Sequence, residues 1–308
     1  MTKILEKVQT FVNDKKSLEL KIDHNFKNEV TMRLKSCSNL ILASCPNELA
    51  ELVLFLNQNS IDYNVLGWGA NQVIPNDSNA IWLKCHFPFD RSYLDEKRSE
   101  YTFPSSVRLS LLTKHAIDHN IRGWEVFTGI PAQLGGAVFM NAGTRLGEIG
   151  DLVKKIKKIN KQGQIEELEL NSKMFSYRSN HFMSAGEVLI EIVLDGCTAD
   201  PVVGQEIKDY LAKRNATQPL NMFTCGCVYE NPTNDAAGRL VEVGGLKGLT
   251  QKGIRVSQKH GNFFENFSEG SIEDFYQLSS WVKEEIELQF GVKPVSYTHL
   301  TLPTIYSV

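Results

Sequence analysis

Apolar and polar positions recur with two different periods along the chain. Helical spacing with polar or proline boundaries predicts four helices, at residues 46–60, 105–120, 202–219 and about 271–290. Strand-like runs predict a single strand at 79–87, two strands around the polar KQGQ turn within 153–170, and a further strand at 186–196. The change in composition after the last of these strands predicts a domain boundary near residues 197–202.

Two other stretches are distinguished by glycine. The segment YNVLGWGANQVI, residues 63–74, predicts a buried strand, a glycine turn and a short apolar continuation. Residues 121–150 contain seven glycines in thirty positions. This density disfavours a regular helix and indicates a backbone that approaches a ligand closely.

Composition limits the class of protein. A chain of 308 residues favours two domains. The net charge of −3 gives no basic excess, so nucleic acid is not expected as the main partner. The charged opening segment is unlike a secretory signal, and no apolar run reaches the length of a membrane span, so we expect a cytoplasmic protein without a membrane partner. The six cysteines form no CxxC pair and no zinc spacing, so we expect reduced thiols and no metal.

Three short segments carry candidate chemistry. In LGWGAN, residues 66–71, the glycines allow backbone N–H groups to face a diphosphate, although a tight turn after a strand explains them equally well. The segment lacks both the P-loop and the Rossmann patterns. The glycines of GIPAQLGGAVFMNAG, residues 129–143, add a second loop suited to an extended cofactor. In FSYRSNHF, residues 175–182, Arg178 is suited to hold a carboxylate, although such an arginine is more often a solvated ion-pair partner.

Taken in order, these segments resemble a known family. GxGxN, GIPxxxGGAxxMNAG and YR are followed by GCVYENP, AGRLVEVGGLKG and SQKHGNFFEN. This order is similar to that of the UDP-N-acetylenolpyruvoylglucosamine reductases, from about residue 25 to residue 294. The resemblance implies an α+β protein with a two-lobed FAD-binding domain of the vanillyl-alcohol-oxidase type, followed by an α+β substrate-binding domain. The domains expected are a helical lead-in at 1–24, the FAD-binding domain at 25–198 and the substrate domain at 199–294.

The resemblance also implies the ligands and the residues that bind them. The cofactor is FAD, NADPH is the hydride donor, and the substrate is a UDP-sugar enolpyruvyl ether. Arg178 would hold the enolpyruvyl carboxylate and stabilise its charge, and Tyr177, Asn231 and Lys259 would help to bind the substrate. FAD would lie along Gly67, Trp68, Gly69, Ala70, Asn71, Gly129, Ile130, Pro131, Gly135, Gly136 and Ala142.

The family supplies a serine hydroxyl as proton donor where this chain has Cys227. A free thiol has a pKa of about 8.5, so it is mostly protonated at neutral pH and is far more acidic than an alkyl hydroxyl. Because a general acid works best when its pKa lies near the working pH, Cys227 is expected to return the proton to the substrate, with Arg178 stabilising the thiolate. The alternative is an inert buried cysteine.

The chain also departs from the family. Lys35 and Ser36 stand where the family tends to have two glycines, IPA replaces IPG, and Glu230 replaces a common lysine. The segment 295–308 resembles a translated sequencing-library adaptor and is expected to be non-native.

No Asp or Glu occurs in residues 291–308, where the family places a catalytic glutamate. We therefore expect FAD binding with poor turnover. The alternatives are an FAD-linked oxidase of the same cofactor fold and a catalytically degenerate flavin-binding protein.

Overall fold

The computed structural model describes residues 3–196 and 198–297. The first layer is a four-stranded sheet in the order β1-β2-β4-β3 with helices packed against it. Its elements are α1 Lys3–Asn13, β1 Leu18–Asn25, β2 Cys37–Ala43, α2 Pro46–Gln58, β3 Tyr63–Val65 and β4 Ile81–Cys85. The strand β1 runs antiparallel to β2, whereas β2 and β3 both run parallel to β4. The apolar faces of α1 and α2 pack on this sheet in one core.

A second sheet follows, in the order β5-β12-β8-β9 with all neighbours antiparallel. Its strands are β5 Glu100–Pro104, β8 Val153–Ile159, β9 Ile165–Glu169 and β12 Val188–Asp195. The helices α3 Leu109–His119, α4 Leu134–Phe139 and α5 Val203–Thr217 contribute to the core on one face of this sheet. Two small hairpins lie between these elements: β6 Gly143–Thr144 with β7 Gly147–Glu148, and β10 Phe175–Ser176 with β11 Ser179–Asn180.

The C-terminal sheet is antiparallel, in the order β13-β16-β15-β14. It comprises β13 Phe223–Cys227, α6 Ala237–Val243, β14 Thr250–Gln251, β15 Ile254–Val256, β16 Phe263–Asn266 and α7 Ile272–Phe290. Helix α7 begins with a capping box, because Ser271 and Asp274 each accept a hydrogen bond from the backbone of the other. Its buried side packs into the third core, to which Met32 and Leu34 of the first layer also contribute. This shared core packs residues of the first layer against the C-terminal sheet.

The four predicted helices and the strands at 79–87, 153–170 and 186–196 are confirmed, with bounds that shift by a few residues. The largest shift is at α3, which begins at Leu109 rather than at residue 105. The prediction of a buried strand within 63–74 is wrong about the burial, because β3 is the edge strand of its sheet and Val65 is exposed. Apolar composition alone does not distinguish a short edge strand from a central one.

The predicted domain boundary at 198/199 stays a prediction. The helix that follows it, α5, buries Val203 and Ile207 in the core of the second sheet. Residues 1–24, expected as a helical lead-in, contain α1 and then most of β1, which pairs with β2. The tail expected to be non-native comprises residues 295–308. Residues 298–308 lie outside the described residues, whereas 295–297 are described. No helix in 3–196 or 198–297 is long and apolar enough to cross a membrane.

Candidate active site

The two glycine-rich segments lie against each other. A Cβ placed on Gly67 would lie 3.9 Å from the Cα of Gly136 and 3.9 Å from Oε1 of Gln133. A Cβ placed on Gly136 would meet no heavy atom within 4 Å among the described residues. The turn after β3 and the first turn of α4 are therefore in contact, with open space beside Gly136. We call this open space, with the glycines that border it, the glycine cleft.

The glycine-rich segment is helical where the sequence disfavoured a helix. Gly135 and Gly136 both lie in α4. The backbone N–H of Gly135 donates to the carbonyl of Ser105 at 2.7 Å, and a Cβ at Gly135 would lie 2.7 Å from the Cβ of Ser105. Gly135 thus allows α4 to pack directly on the loop after β5, and this tertiary contact outweighs the low helix propensity of glycine.

The turn after β3 requires glycine at position 69. Gly69 has φ +68°, and a Cβ there would lie only 2.2 Å from the carbonyl oxygen of Glu29. Thr31 fixes this turn: its N–H donates to the carbonyl of Gly69 at 3.0 Å, and its Oγ1 lies 2.7 Å from the carbonyl of Thr224, to which it can donate. Thr31 therefore ties the turn to β13 of the C-terminal sheet. Thr31 was not predicted as a site residue, although it lies in TMRLKS, residues 31–36, the segment that contains Lys35 and Ser36.

Trp68 and Asn71 extend the turn toward both halves of the protein. The guanidinium of Arg108 stacks on the ring of Trp68, with 4.0 Å between Cζ and the ring centroid. Oδ1 of Asn71 lies 3.9 Å from a Cβ placed on Gly226, next to Cys227.

Of the other residues expected along FAD, Ile130 and Ala142 are partly buried against the second core, and Pro131 is exposed. The carbonyl of Ala70 lies 3.0 Å from Oγ1 of Thr31.

Arg178 lies at the tip of the β10–β11 hairpin, in the left-handed region with φ 55°. Its Nη1 and Nη2 donate to the carbonyls of Asn141 at 3.2 Å and Gly143 at 2.7 Å. Asn141 is buried and in turn donates to the carbonyl of Ser176 at 3.0 Å. The end of the glycine-rich segment and the hairpin therefore form one unit. None of the ion pairs found within 3–196 and 198–297 involves Arg178.

Cys227 ends β13, where the strand register is irregular and Gly226 has φ +77°. Burial raises the pKa of the Cys227 thiol to about 11, against the opposing charges of Arg178 and Arg214. The expectation of a pKa near that of a free thiol is therefore wrong, because desolvation outweighs the two cations. The thiol of Cys225 is fully buried, and its pKa is raised further, to about 12.

Arg214 is a site residue that the sequence analysis missed. It extends from α5 and donates through Nη1 to the carbonyl of Thr128 at 3.3 Å. Gly129 has φ +72°, and a Cβ there would lie 2.7 Å from Nη1 of Arg214. The guanidinium thus packs against the backbone of the GIP segment. Nothing in the local sequence pairs residue 214 with residue 129, so only the packing of α5 shows this contact.

The remaining predicted substrate residues lie on loops of the C-terminal half. Oδ1 of Asn231 accepts a hydrogen bond at 3.1 Å from the N–H of Ala237, the first residue of α6. Nζ of Lys259 donates to the carbonyl of Asn215 on α5 at 3.2 Å. In this structure Asn231 orders the loop before α6, and Lys259 connects its loop to α5. Tyr177 is 54% exposed beside Arg178, with 5.1 Å between Cζ of the guanidinium and the ring centroid.

The cleft suits an extended dinucleotide cofactor. Gly136 leaves its position toward the cleft empty, and a Cβ placed on Gly67 would meet no atom closer than 3.9 Å. The buried Oγ1 of Thr128 has no hydrogen-bond partner among the described residues. An unsatisfied buried hydroxyl is costly, so a polar group of a ligand beside the GIP segment would satisfy it. The residues present therefore fit FAD.

Comparisons with known proteins match two parts of the chain to family models. Residues 38–169 match the family model described as FAD binding domain, and residues 218–295 match the C-terminal domain of UDP-N-acetylenolpyruvoylglucosamine reductase. The reductase of Clostridioides difficile (strain 630) is 32% identical over 279 residues, which cover 89% of this chain and 90% of that protein. The reductase of Streptococcus pneumoniae (strain JJA) is 32% identical over 248 residues, covering 80% of this chain and 81% of that protein.

A solved structure gives the same result for the fold. The crystal structure of the reductase from Thermus caldophilus superposes with a TM-score of 0.75 at 26% identity, covering 91% of this chain and 97% of that one. The predicted α+β class with an FAD-binding domain is confirmed. Because the matches span most of the sequence, the chain is an FAD-dependent oxidoreductase that belongs to the UDP-N-acetylenolpyruvoylglucosamine reductase family.

Proposed function

We propose that this chain is a cytoplasmic enzyme of peptidoglycan synthesis that reduces UDP-N-acetylglucosamine enolpyruvate to UDP-N-acetylmuramate with NADPH as the hydride donor. The observation that carries the proposal is the placement of Arg178 and Cys227 beside the glycine cleft. The guanidinium is close enough to the thiol to oppose the rise in its pKa. A cation for a carboxylate and a protonated thiol are thus brought together next to the segments that fit FAD.

Bound FAD would supply the hydride chemistry, receiving a hydride from NADPH and transferring it to the enol ether carbon of the substrate. The turn at 67–71 and the segment at 129–136 would hold this cofactor. Arg108 would limit the movement of Trp68 at the edge of the cleft. Thr31 would keep the turn in place against β13.

Arg178 would bind the enolpyruvyl carboxylate. A guanidinium carries several N–H donors in a planar fork, and its bonds to the carbonyls of Asn141 and Gly143 leave donors for a carboxylate. Those two bonds also fix the orientation of the group before substrate arrives. As negative charge develops next to the carboxylate during reduction, a fixed cation stabilises the transition state without reorganisation.

Cys227 would return a proton to the α-carbon of the substrate. With a pKa of about 11, the thiol is protonated throughout the neutral range, so the S–H bond is available when the carbon becomes basic. The electron pair of the broken S–H bond stays on sulfur, and the charges of Arg178 and Arg214 stabilise the resulting thiolate. The thiolate then regains a proton from solvent.

The loops that carry Asn231 and Lys259 would complete the substrate side of the site. Asn231 orders the loop before α6, and Lys259 places a cation beside α5. Together with Tyr177 they are suited to bind the polar parts of a UDP-sugar, since amide, ammonium and phenol groups all hydrogen-bond phosphate and sugar oxygens.

An anaerobic stopped-flow experiment tests the proposal through the visible absorbance of the flavin. We expect NADPH to bleach the flavin and the enolpyruvyl substrate to restore its colour, because the two hydride transfers are separate steps. Bleaching without recovery would locate a defect at proton delivery. Failure of NADPH to bleach the flavin would contradict the proposal and favour an FAD-linked oxidase, recognised by a covalent flavin that survives acid precipitation, or a degenerate flavin-binding protein.

A further inference from the structure

Arg108 lies where the two glycine-rich segments meet. Its backbone forms an isolated antiparallel bridge with Gln133, the residue before α4. Beside this bridge, the N–H of Leu134 donates to the carbonyl of Val107 at 2.8 Å. The backbone of Arg108 is therefore held against the segment at 129–136.

The side chain of Arg108 reaches across to the turn at 67–71. Its guanidinium stacks on the ring of Trp68, which stands between Gly67 and Gly69, with 4.0 Å between Cζ and the ring centroid. Stacking uses the face of the guanidinium, so the N–H groups at its edge stay available to donate hydrogen bonds. Arg108 thus connects the two segments that border the glycine cleft and carries a positive charge there.

That charge has no anionic partner in the part of the chain that the structure describes. None of the ion pairs found there involves Arg108, and its guanidinium donates no hydrogen bond to a described atom. Arg98 differs in this respect: its guanidinium also stacks on a ring, 4.5 Å from the centroid of Tyr93, but it pairs with Glu96 at 3.1 Å. Because Arg108 is exposed, an anion that enters the cleft can reach its N–H groups.

The diphosphate of FAD is the anion that suits this position. Each of its phosphates carries a negative charge at neutral pH, and the phosphate oxygens match the planar fork of a guanidinium. The glycines border the cleft with backbone, whose dipoles carry only partial charges. A guanidinium adds the full positive charge that this backbone lacks.

We propose that Arg108, held by its stack on Trp68, is a ligand of the FAD diphosphate and neutralises part of its charge. The proposal rests on the proposed function for the placement of FAD along 67–71 and 129–136, but it does not depend on the substrate or on the hydride donor. Arg108 was not among the residues predicted to bind FAD, because it lies outside both glycine-rich segments.

Titration of FAD into the cofactor-free full chain, followed by the quenching of flavin fluorescence, tests this role. Arg108→Gln is expected to weaken FAD binding by about 10–100-fold, the effect of losing hydrogen bonds between charged groups. Arg108→Lys keeps the charge but loses the planar fork, so its FAD affinity should lie between those of Arg108→Gln and the unmodified chain. Unchanged FAD affinity in Arg108→Gln would overturn the proposal.

The salt dependence of binding separates a charge on the diphosphate from a structural effect on the turn. Because Arg108 is exposed, added salt screens its attraction for the diphosphate. Between about 50 and 500 mM NaCl, FAD affinity should therefore fall several-fold more in the unmodified chain than in Arg108→Gln. An equal fall in both proteins would mean that Arg108 only positions Trp68, and the proposal would be wrong.

Lys114→Gln is the matched control, because it removes one positive charge from the helix that follows Arg108. The side chain of Lys114 is 74% exposed and pairs with Asp118 at 3.0 Å. Its FAD affinity and salt dependence should equal those of the unmodified chain. A loss as large as that of Arg108→Gln would assign the effect to net charge and overturn the proposal. If NADPH fails to bleach the flavin, the proposed function fails, whereas a salt-dependent loss of FAD binding in Arg108→Gln still establishes Arg108 as a ligand of the diphosphate.

Discussion

Replacing Cys227 with alanine is expected to slow the recovery of flavin colour on the enolpyruvyl substrate by about 10²–10⁴-fold, while NADPH bleaches the flavin at an unchanged rate. The reason is that the substitution removes the proton donor of the second step and leaves the glycine cleft and Arg178 in place. The measurement is the two-step anaerobic stopped-flow experiment, in which each step has its own amplitude and rate.

Two variants make this result specific. Cys225→Ala changes the other thiol of the same strand, which is fully buried, and should leave recovery within a few-fold of the unmodified rate. Cys227→Ser supplies the hydroxyl that the family uses and should retain much of the rate. If Cys227→Ala recovered as fast as the unmodified chain, the thiol would be an inert cysteine and proton return would belong to another group.

The pH dependence of recovery distinguishes this buried thiol from a free one. Burial raises the pKa of Cys227 to about 11, so the recovery rate should be flat through neutral pH and fall only as pH rises toward 11. A free thiol would lose its proton near pH 8.5. The raised pKa of the Cys227 thiol also contributes to the free energy of unfolding below about pH 8.5. This contribution is lost as the pH rises toward the pKa of the folded state, because the thiol ionises first in the unfolded chain. A decline centred near pH 8.5 would contradict the burial of the donor.

Local patterns predicted four of the helices, the strands within 79–87, 153–170 and 186–196, and the segments that form the site. The spacing of apolar residues located α2 and the β8–β9 hairpin, and the order of motifs pointed to both sides of the cleft. These features depend on residues close together in sequence. The glycine-rich helix α4 was not predicted, because its stability comes from the contact of Gly135 with Ser105 rather than from propensity.

The properties of the site that depend on distant residues were beyond sequence reasoning. The pKa of Cys227 depends on burial by other elements, and the free-thiol value was therefore the wrong reference. Arg214 meets Gly129 only because α5 packs on the second core. In the same way, Thr31 reaches Thr224 across most of the chain. Each of these contacts brings together positions that no local pattern relates.

Replacing Gly69 with alanine is expected to weaken FAD binding by about a hundredfold or more. The residue has φ +68°, which costs an L-residue about 1–2 kcal/mol, and the added Cβ would lie 2.2 Å from the carbonyl oxygen of Glu29 and 2.8 Å from the Cα of Val30. Both neighbours are backbone, so the clash cannot be relieved by a side-chain rotation. The turn at 67–71 or the segment before Thr31 must move, and the backbone N–H groups would no longer face the cofactor together.

Gly245→Ala is the matched control for this experiment. Gly245 has a similar φ of +70°, but a Cβ there would meet no described atom within 4 Å, so alanine adds backbone strain without a clash. FAD affinity, measured by the quenching of flavin fluorescence on titration into cofactor-free protein, should stay within a few-fold of the unmodified value. Equal affinities for the Gly69 and Gly245 variants would show that strain alone matters and that the turn does not approach the cofactor. A loss confined to Gly69→Ala would assign the effect to the close packing that positions the turn.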